Sequence, residues 1–294
     1  MVLRSMLYAP ANHPRHAAGA LAGTADAAIL DLEDAVAEDQ KAAARQALPE
    51  LLERRPAGGP AVFVRVNGLR TGHAHQDLLA AVLPQVRGVL VPKVESAAEV
   101  AIADWMLTQL ESERGRDSGA VELVPLVETA AGLGRLPEIC AASPRVRRVS
   151  FGAADFALDV GMTLGAGAGE GLLAAKLRVL VASRAAGLDP PLDVVYPNFR
   201  DPDGFLREAE QARRLGFMGK TCIHPAQVEL ANRVFTPTED EVSQALRTLR
   251  AFDDALAEGS ASVQLDGRMI DYPIAERARR LVELADRISG RSTR

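Results

Sequence analysis

The 294-residue chain has little of what several function classes require. Only two cysteines occur, Cys140 and Cys222, far apart and each within an apolar pattern. They are expected to be packed, reduced thiols, and no disulfide framework follows. Aromatic residues make up 4% of the chain, too few for base-stacking platforms. Basic residues are outnumbered, the net charge is −5, and no nucleic-acid partner is expected. No apolar run approaches a membrane span and the N-terminal MVLRSMLYAPANHP lacks a signal-type core, so a soluble cytoplasmic protein is expected. Two tempting motifs fail as well. Gly165–Gly171 is glycine-rich, yet G-x-G-x-x-G fits no start there; a flexible loop opening a helix is expected instead. Gly219-Lys220-Thr221 resembles the end of a phosphate-binding loop, but Arg214 stands where glycine is required. The pair His73/His75 lies in a polar loop and is not expected to hold a metal.

What is present is an alternation. Short apolar runs at 5–10, 27–34, 61–67, 88–95, 122–128, 146–155, 193–196 and 217–224 are separated by helical patterns. The clearest helices are 37–54, 97–113, 131–142, 170–187 and 201–215, with a shorter one at 76–84. Eight β/α units predict an α/β fold, a (β/α)8 barrel, with a doubly wound open sheet as the competitor. Chemistry-bearing residues gather where the runs end: Asp31, Glu33, Asp34, Arg65, Asn67, Lys93, Glu128, Asp155, Tyr196 and Lys220. A barrel places its active site at the C-terminal strand ends, which would bring these side chains to one rim. Residues 1–225 are expected to form the barrel. Residues 226–294 read as an extension: helices 227–235 and 239–258, a hairpin turning at Asp266-Gly267, a last helix 274–288 and a frayed tail at 290–294.

Glu128 and Asp155 each end an apolar run, and two carboxylates at one rim would form a hard-oxygen site suited to Mg²⁺. The plainer alternative is that each caps the helix that follows it. Asp31, Glu33 and Asp34 crowd three acids into four residues, which repel unless a cation relieves them. Arg65, one strand along, is the natural partner, because an unpaired guanidinium in a β-branched run would be costly.

With these residues in view, the chain resembles the citrate lyase β-subunit-like and malyl-CoA lyase family, within the superfamily of pyruvate-type metal aldolases. The stretches that carry it, in order, are RSMLYAPAN, ILDLEDAV, VRVNG, GVLVPKVESA, VETAAGL, SFGAADFALDVG, GFMGKTCIHPAQV, NRVFTPT and DGRMIDYP. The resemblance implies a TIM barrel with a C-terminal helical extension that packs on a neighbouring subunit, usually in a homotrimer. It implies cleavage or formation of a C–C bond in 3-hydroxy-acyl thioesters such as malyl-, citramalyl- or citryl-CoA. Glu128 and Asp155 would hold Mg²⁺, and Arg65 would lie beside the substrate oxygen. Asp271 would be an acid/base supplied by a neighbouring subunit. Glu33 and Asp34 complete the expected catalytic set, with Asp31 helping to orient Arg65. Tyr8, Arg15, Arg65, Pro92 and Lys93 are the expected substrate and CoA contacts. One departure stands out: Gly19 occupies a place where relatives often carry a phosphate-binding lysine. That leaves a carrier-protein thioester as the alternative to CoA, and free 2-oxo acids as a third substrate class.

Overall fold

The computed structural model describes residues 1–163 and 168–290. The chain divides into two compact units, Leu3–Asn232 and a second made of Met1–Val2 with Arg233–Arg294. The boundary expected at residue 225 falls at the start of the helix Pro225–Phe235.

In the larger unit eight parallel strands follow one another around a barrel: β1 (Ser5–Pro10), β2 (Ala27–Asp31), β3 (Ala61–Arg65), β4 (Val86–Val91), β5 (Glu122–Val127), β6 (Ser150–Phe151), β7 (Leu192–Asp193) and β8 (Gly219–Cys222). The ladder runs β6-β5-β4-β3-β2-β1-β8-β7, and its two short end strands lie against each other. The approach of these end strands closes the ladder on itself, as an open doubly wound sheet does not, and makes the barrel. The strands form because near-continuous apolar runs can be buried on both faces only inside such a fold. Met6, Ile29, Phe63, Leu90, Val124 and Leu192 fill the interior.

The two-residue strand period then decides which polar groups face inward at the rim. Asp31 follows Ile29 by two positions and Arg65 follows Phe63 by two. Both continue the interior face, and they are register partners. Glu128 continues the face of Val124 in the same way.

Three expectations about strand ends are corrected. The sixth strand stops at Phe151, and Asp155 sits in the first turn of the helix Ala153–Asp159. Ala and Leu in AADFALD propagate a helix as soon as Gly152 ends the ladder. The seventh strand stops at Asp193, and Tyr196 lies in the following loop, its hydroxyl donating to Asp201 (2.6 Å). Lys220 is not at the rim. It is the second residue of β8, opposite Ser5 at the start of β1, and points toward the helices. There it is fully buried with Asp193 (2.6 Å) and Glu208 (2.6 Å), while Lys176 takes the other Asp193 oxygen (2.8 Å). This closed set of two cations and two carboxylates holds helices Ala168–Ala185 and Pro202–Leu215 on the barrel. The alanine-rich stretch after β1 forms the helix Pro14–Leu21. Of the glycine-rich segment 165–171, residues 165–167 lie outside the described residues, as do 291–294 of the tail.

The smaller unit contains the helix Glu239–Ala257, the hairpin β9 (Val263–Leu265) and β10 (Arg268–Ile270), and the helix Tyr272–Ser289. Thr238 and Glu241 cap the first helix reciprocally. The hairpin turns at Asp266 (φ 49°) and Gly267 (φ 77°), the left-handed pair that a two-residue turn demands. Phe252, Ile270 and Ala275 form its core. Among the described residues no helix is long and apolar enough to cross a membrane.

Candidate active site

At the C-terminal mouth of the barrel, Arg65 is gripped by the acids of the β2 turn. Its Nε and Nη2 donate to the two oxygens of Asp31 (2.7 and 2.5 Å), and Nη1 pairs with Glu33 (2.8 Å). The guanidinium carbon lies 5.1 Å from the centre of the Tyr8 ring. Burial works against the Arg65 charge, but the hydrogen bonds and charge of Asp31 outweigh it and raise the pKa. Glu33 is also paired with Lys93 Nζ (2.8 Å) on its other oxygen. Burial raises the Glu33 pKa, while Arg65 and Lys93 pull it back. Burial raises the Tyr8 hydroxyl likewise, so it stays protonated. Asp34 is exposed, 4.0 Å from Arg65 and 3.8 Å from Lys93. Asp34 belongs to the turn and precedes the helical residues, which begin at Glu38.

Glu128 lies beyond the end of β5 and is 1% exposed. Its Oε1 accepts from the Lys93 backbone N–H (2.8 Å). Burial, then the charges of Asp155 and Glu33, push its carboxyl up to about 8. Neither Glu128 nor Asp155 forms an ion pair with a cationic side chain among the described residues.

The charges therefore do not cancel at the mouth. Arg65 and Lys93 are matched by Asp31 and Glu33. Glu128 and Asp155 are left over without a cationic partner, and with the exposed Asp34 the mouth holds five carboxylates against two cations. No group of three or more metal-ligating side chains converges among the described residues, so an all-protein cage is absent there. Two carboxylates are a hard-oxygen set that suits Mg²⁺, which usually completes its shell with waters and substrate oxygens. The residues present fit that cation.

The remaining expected contacts separate. Pro92 is buried directly after β4, and Lys93 is turned toward the acids. Arg15 is exposed in the first turn of the helix after β1, beside His13 and His16, whose rings stack 4.0 Å apart. Asp271 belongs to the smaller unit, where its side chain caps the helix Tyr272–Ser289 by accepting from the Ile274 N–H (3.3 Å).

Sequence reasoning placed Asn67 at a strand end but gave neither it nor Lys41 a role in the scaffold behind the acids. Lys41 is buried and donates to the carbonyls of Leu32 and Glu33 (3.2 and 3.1 Å) and to Asn67 Oδ1 (2.7 Å). Asn67 in turn donates to Leu32 O (2.8 Å) and to Asp77 (2.6 Å). These bonds fix the turn that carries Glu33. The signal was available: Lys41 shares the buried face of its helix with Ala44, Leu48 and Leu51, at helical spacing.

Comparison with known proteins identifies the family. A family model described as HpcH/HpaI aldolase/citrate lyase matches residues 4–225, and one described as C-C bond lyase of the TIM-barrel fold matches 188–286. The citrate lyase subunit beta of Leuconostoc mesenteroides subsp. cremoris is 35% identical, over 96% of this chain and 93% of that protein. The L-malyl-CoA/beta-methylmalyl-CoA lyase of Cereibacter sphaeroides is also 35% identical, over 97% of this chain and 95% of that one. Among solved structures, the CitE protein of Mycobacterium tuberculosis in complex with magnesium, acetoacetate and coenzyme A superposes with a TM-score of 0.76. It is 30% identical, with 97% of this chain and 98% of that chain covered.

Proposed function

Because the chain belongs to the HpcH/HpaI aldolase/citrate lyase family, we propose that it is a Mg²⁺-dependent carbon–carbon lyase. Its substrates would be 3-hydroxy-acyl-CoA thioesters such as citramalyl-, malyl- or citryl-CoA, in equilibrium with acetyl-CoA and a 2-oxo acid. The observation that carries this reading is the uncancelled pair Glu128/Asp155 beside a fully braced Arg65. Glu128 and Asp155 would hold the cation, which would act as a Lewis acid toward the substrate's hydroxyl and carboxylate oxygens. Arg65, fixed by Asp31 and Glu33 before substrate arrives, offers positive charge to the oxygen where negative charge develops on cleavage. Tyr8 closes one side of that guanidinium, and Glu33 and Asp34 keep the mouth acidic around it. Arg15 would meet the phosphates of CoA.

A proton must also pass to and from the carbon next to the thioester carbonyl. We assign this to Asp271, delivered by a neighbouring subunit of a homotrimer. Met269, Tyr272 and Ile274, which flank Asp271, are 63%, 59% and 41% exposed, an apolar surface of the kind an interface covers. Mixing Asp271→Ala subunits with Arg65→Ala subunits is expected to restore activity that neither has alone. No recovery in trimers shown to be mixed would remove Asp271 from the shared site.

The substrate assignment is tested by incubating the protein with Mg²⁺ and each CoA thioester and measuring acetyl-CoA release. Turnover of a carrier-protein thioester alone would favour the second reading, a citrate lyase β-type subunit, which equal identity to the Leuconostoc protein keeps in view. Turnover of free 2-oxo acids alone would overturn both.

The pH dependence of cation binding follows from Glu128. Its carboxyl is held protonated up to about 8 by burial and by the neighbouring carboxylates. Proton and cation compete, so Mg²⁺ affinity should rise roughly tenfold per pH unit below that point and level off above it. Calorimetric titrations at matched ionic strength between about pH 6 and 9 would show this; a flat Kd would contradict it.

A further inference from the structure

Lys93 is one of two non-glycine residues with a left-handed backbone among the described residues, at φ 56°. The other, Asp266, sits in a hairpin turn that requires it. No hairpin exists at Lys93, which follows Pro92 just past the end of β4. The conformation is strained for a residue with a Cβ, so something must hold it.

Its consequence is visible at Glu128. Pro92 has no N–H, so Lys93 carries the first donor beyond the strand, and the left-handed turn aims it at Glu128 Oε1 (2.8 Å). On the other side of the same carboxylate lies Gly152. A Cβ at that position would stand 2.2 Å from Glu128 Oε2 and 2.7 Å from Glu128 Cβ. The second contact decides the matter. The carboxylate could rotate away, but the Cβ is fixed to the backbone, so any side chain at 152 would unseat Glu128.

We propose that Glu128 is seated before any cation arrives, by the Lys93 N–H on one oxygen and the side-chain-free backbone of Gly152 against the other. Lys93 and Gly152 are then positioning residues for the metal site. The inference rests on the metal-lyase reading above and deepens it. It also explains why lysine stands at 93, where glycine would be less strained. Its ammonium donates to Glu33 Oε1 (2.8 Å), so one residue braces Glu128 with its backbone and Glu33 with its side chain. Lys93 is thereby assigned to the acids.

The test is Mg²⁺ binding by calorimetry on the full chain, beside thermal melts that report folding. Lys93→Gly keeps the N–H and relieves strain, so it should bind Mg²⁺ as tightly as wild type or tighter, having lost a nearby positive charge. Lys93→Pro removes the N–H and forbids positive φ, and Gly152→Ala intrudes on Glu128. Folded samples of each should bind at least about tenfold more weakly. Wild-type protein that binds no Mg²⁺ at millimolar concentration would overturn the metal reading itself. Wild-type binding with equal binding by folded Lys93→Pro and Gly152→Ala would overturn the seat alone. A tenfold loss in Lys93→Gly would do the same, because it would place the effect in the ammonium.

Discussion

Asp155→Asn is expected to lower Mg²⁺-dependent kcat/KM by roughly a thousandfold or more while leaving the fold intact. Asparagine keeps the shape and one oxygen but removes half of the negative charge that the cation would neutralise. The stability effect should run the other way. Asp155 is the largest charged contributor to the raised Glu128 carboxyl, second only to burial. Removing it relieves repulsion between two carboxylates, so the metal-free variant should melt no lower than wild type. Activity lost without stability lost is the signature of a group retained for chemistry against the interest of the fold. A variant with full Mg²⁺-dependent turnover would remove the metal assignment, and one that melts far lower would make Asp155 a structural residue.

Arg65→Met should damage both properties. Asp31 and Glu33 are 1% and 4% exposed, and each would be left without the guanidinium that compensates it. Breaking a buried pair by removing one partner costs about 3–5 kcal/mol. Urea unfolding should register the loss, and the loss should depend on pH with a definite sign. Burial already raises the Glu33 pKa, and Arg65 is the leading influence lowering it. Without Arg65 the folded-state value rises further. The protonated group is tolerated at low pH, and the penalty grows as pH climbs through that raised value. The deficit relative to wild type should therefore be smaller near pH 5 than near pH 8. Arg65→Lys keeps a charge without the planar fork, and should fold while losing about a hundredfold in kcat. Full activity in Arg65→Lys would show that charge alone suffices and that the bidentate grip on Asp31 is dispensable.

Much of this site was legible in the linear chain, for reasons that can be named. The strands read clearly because parallel barrel strands are buried on both faces and cannot alternate in polarity. The grip of Arg65 on the β2 acids followed from the cost of an unpaired guanidinium, and its partners came from adjacent runs. The helix 97–113 and the Asp266-Gly267 turn were found because caps and left-handed turns depend on local residue types, with little help from tertiary contacts.

The misses share the opposite cause. Asp155 was placed on a strand because Val149–Ala154 is apolar enough for either element; Gly152, where the ladder ends and the helix begins, decided it. Lys220 carried the same local look as Lys93, a lysine in an apolar run. Only the register with Ser5 and Asp193 put it among the helices, in a closed charge set. The role of Gly152 was invisible, since nothing in the residue itself announces a carboxylate packed where its Cβ would be. The sequence by itself determined the family, the barrel, the acids and their arginine, because periodicity and charge compensation act over a few residues or between neighbouring strands. The three-dimensional fold alone decided that two of those acids remain uncompensated, because charge balance is summed over side chains that meet only after the barrel closes.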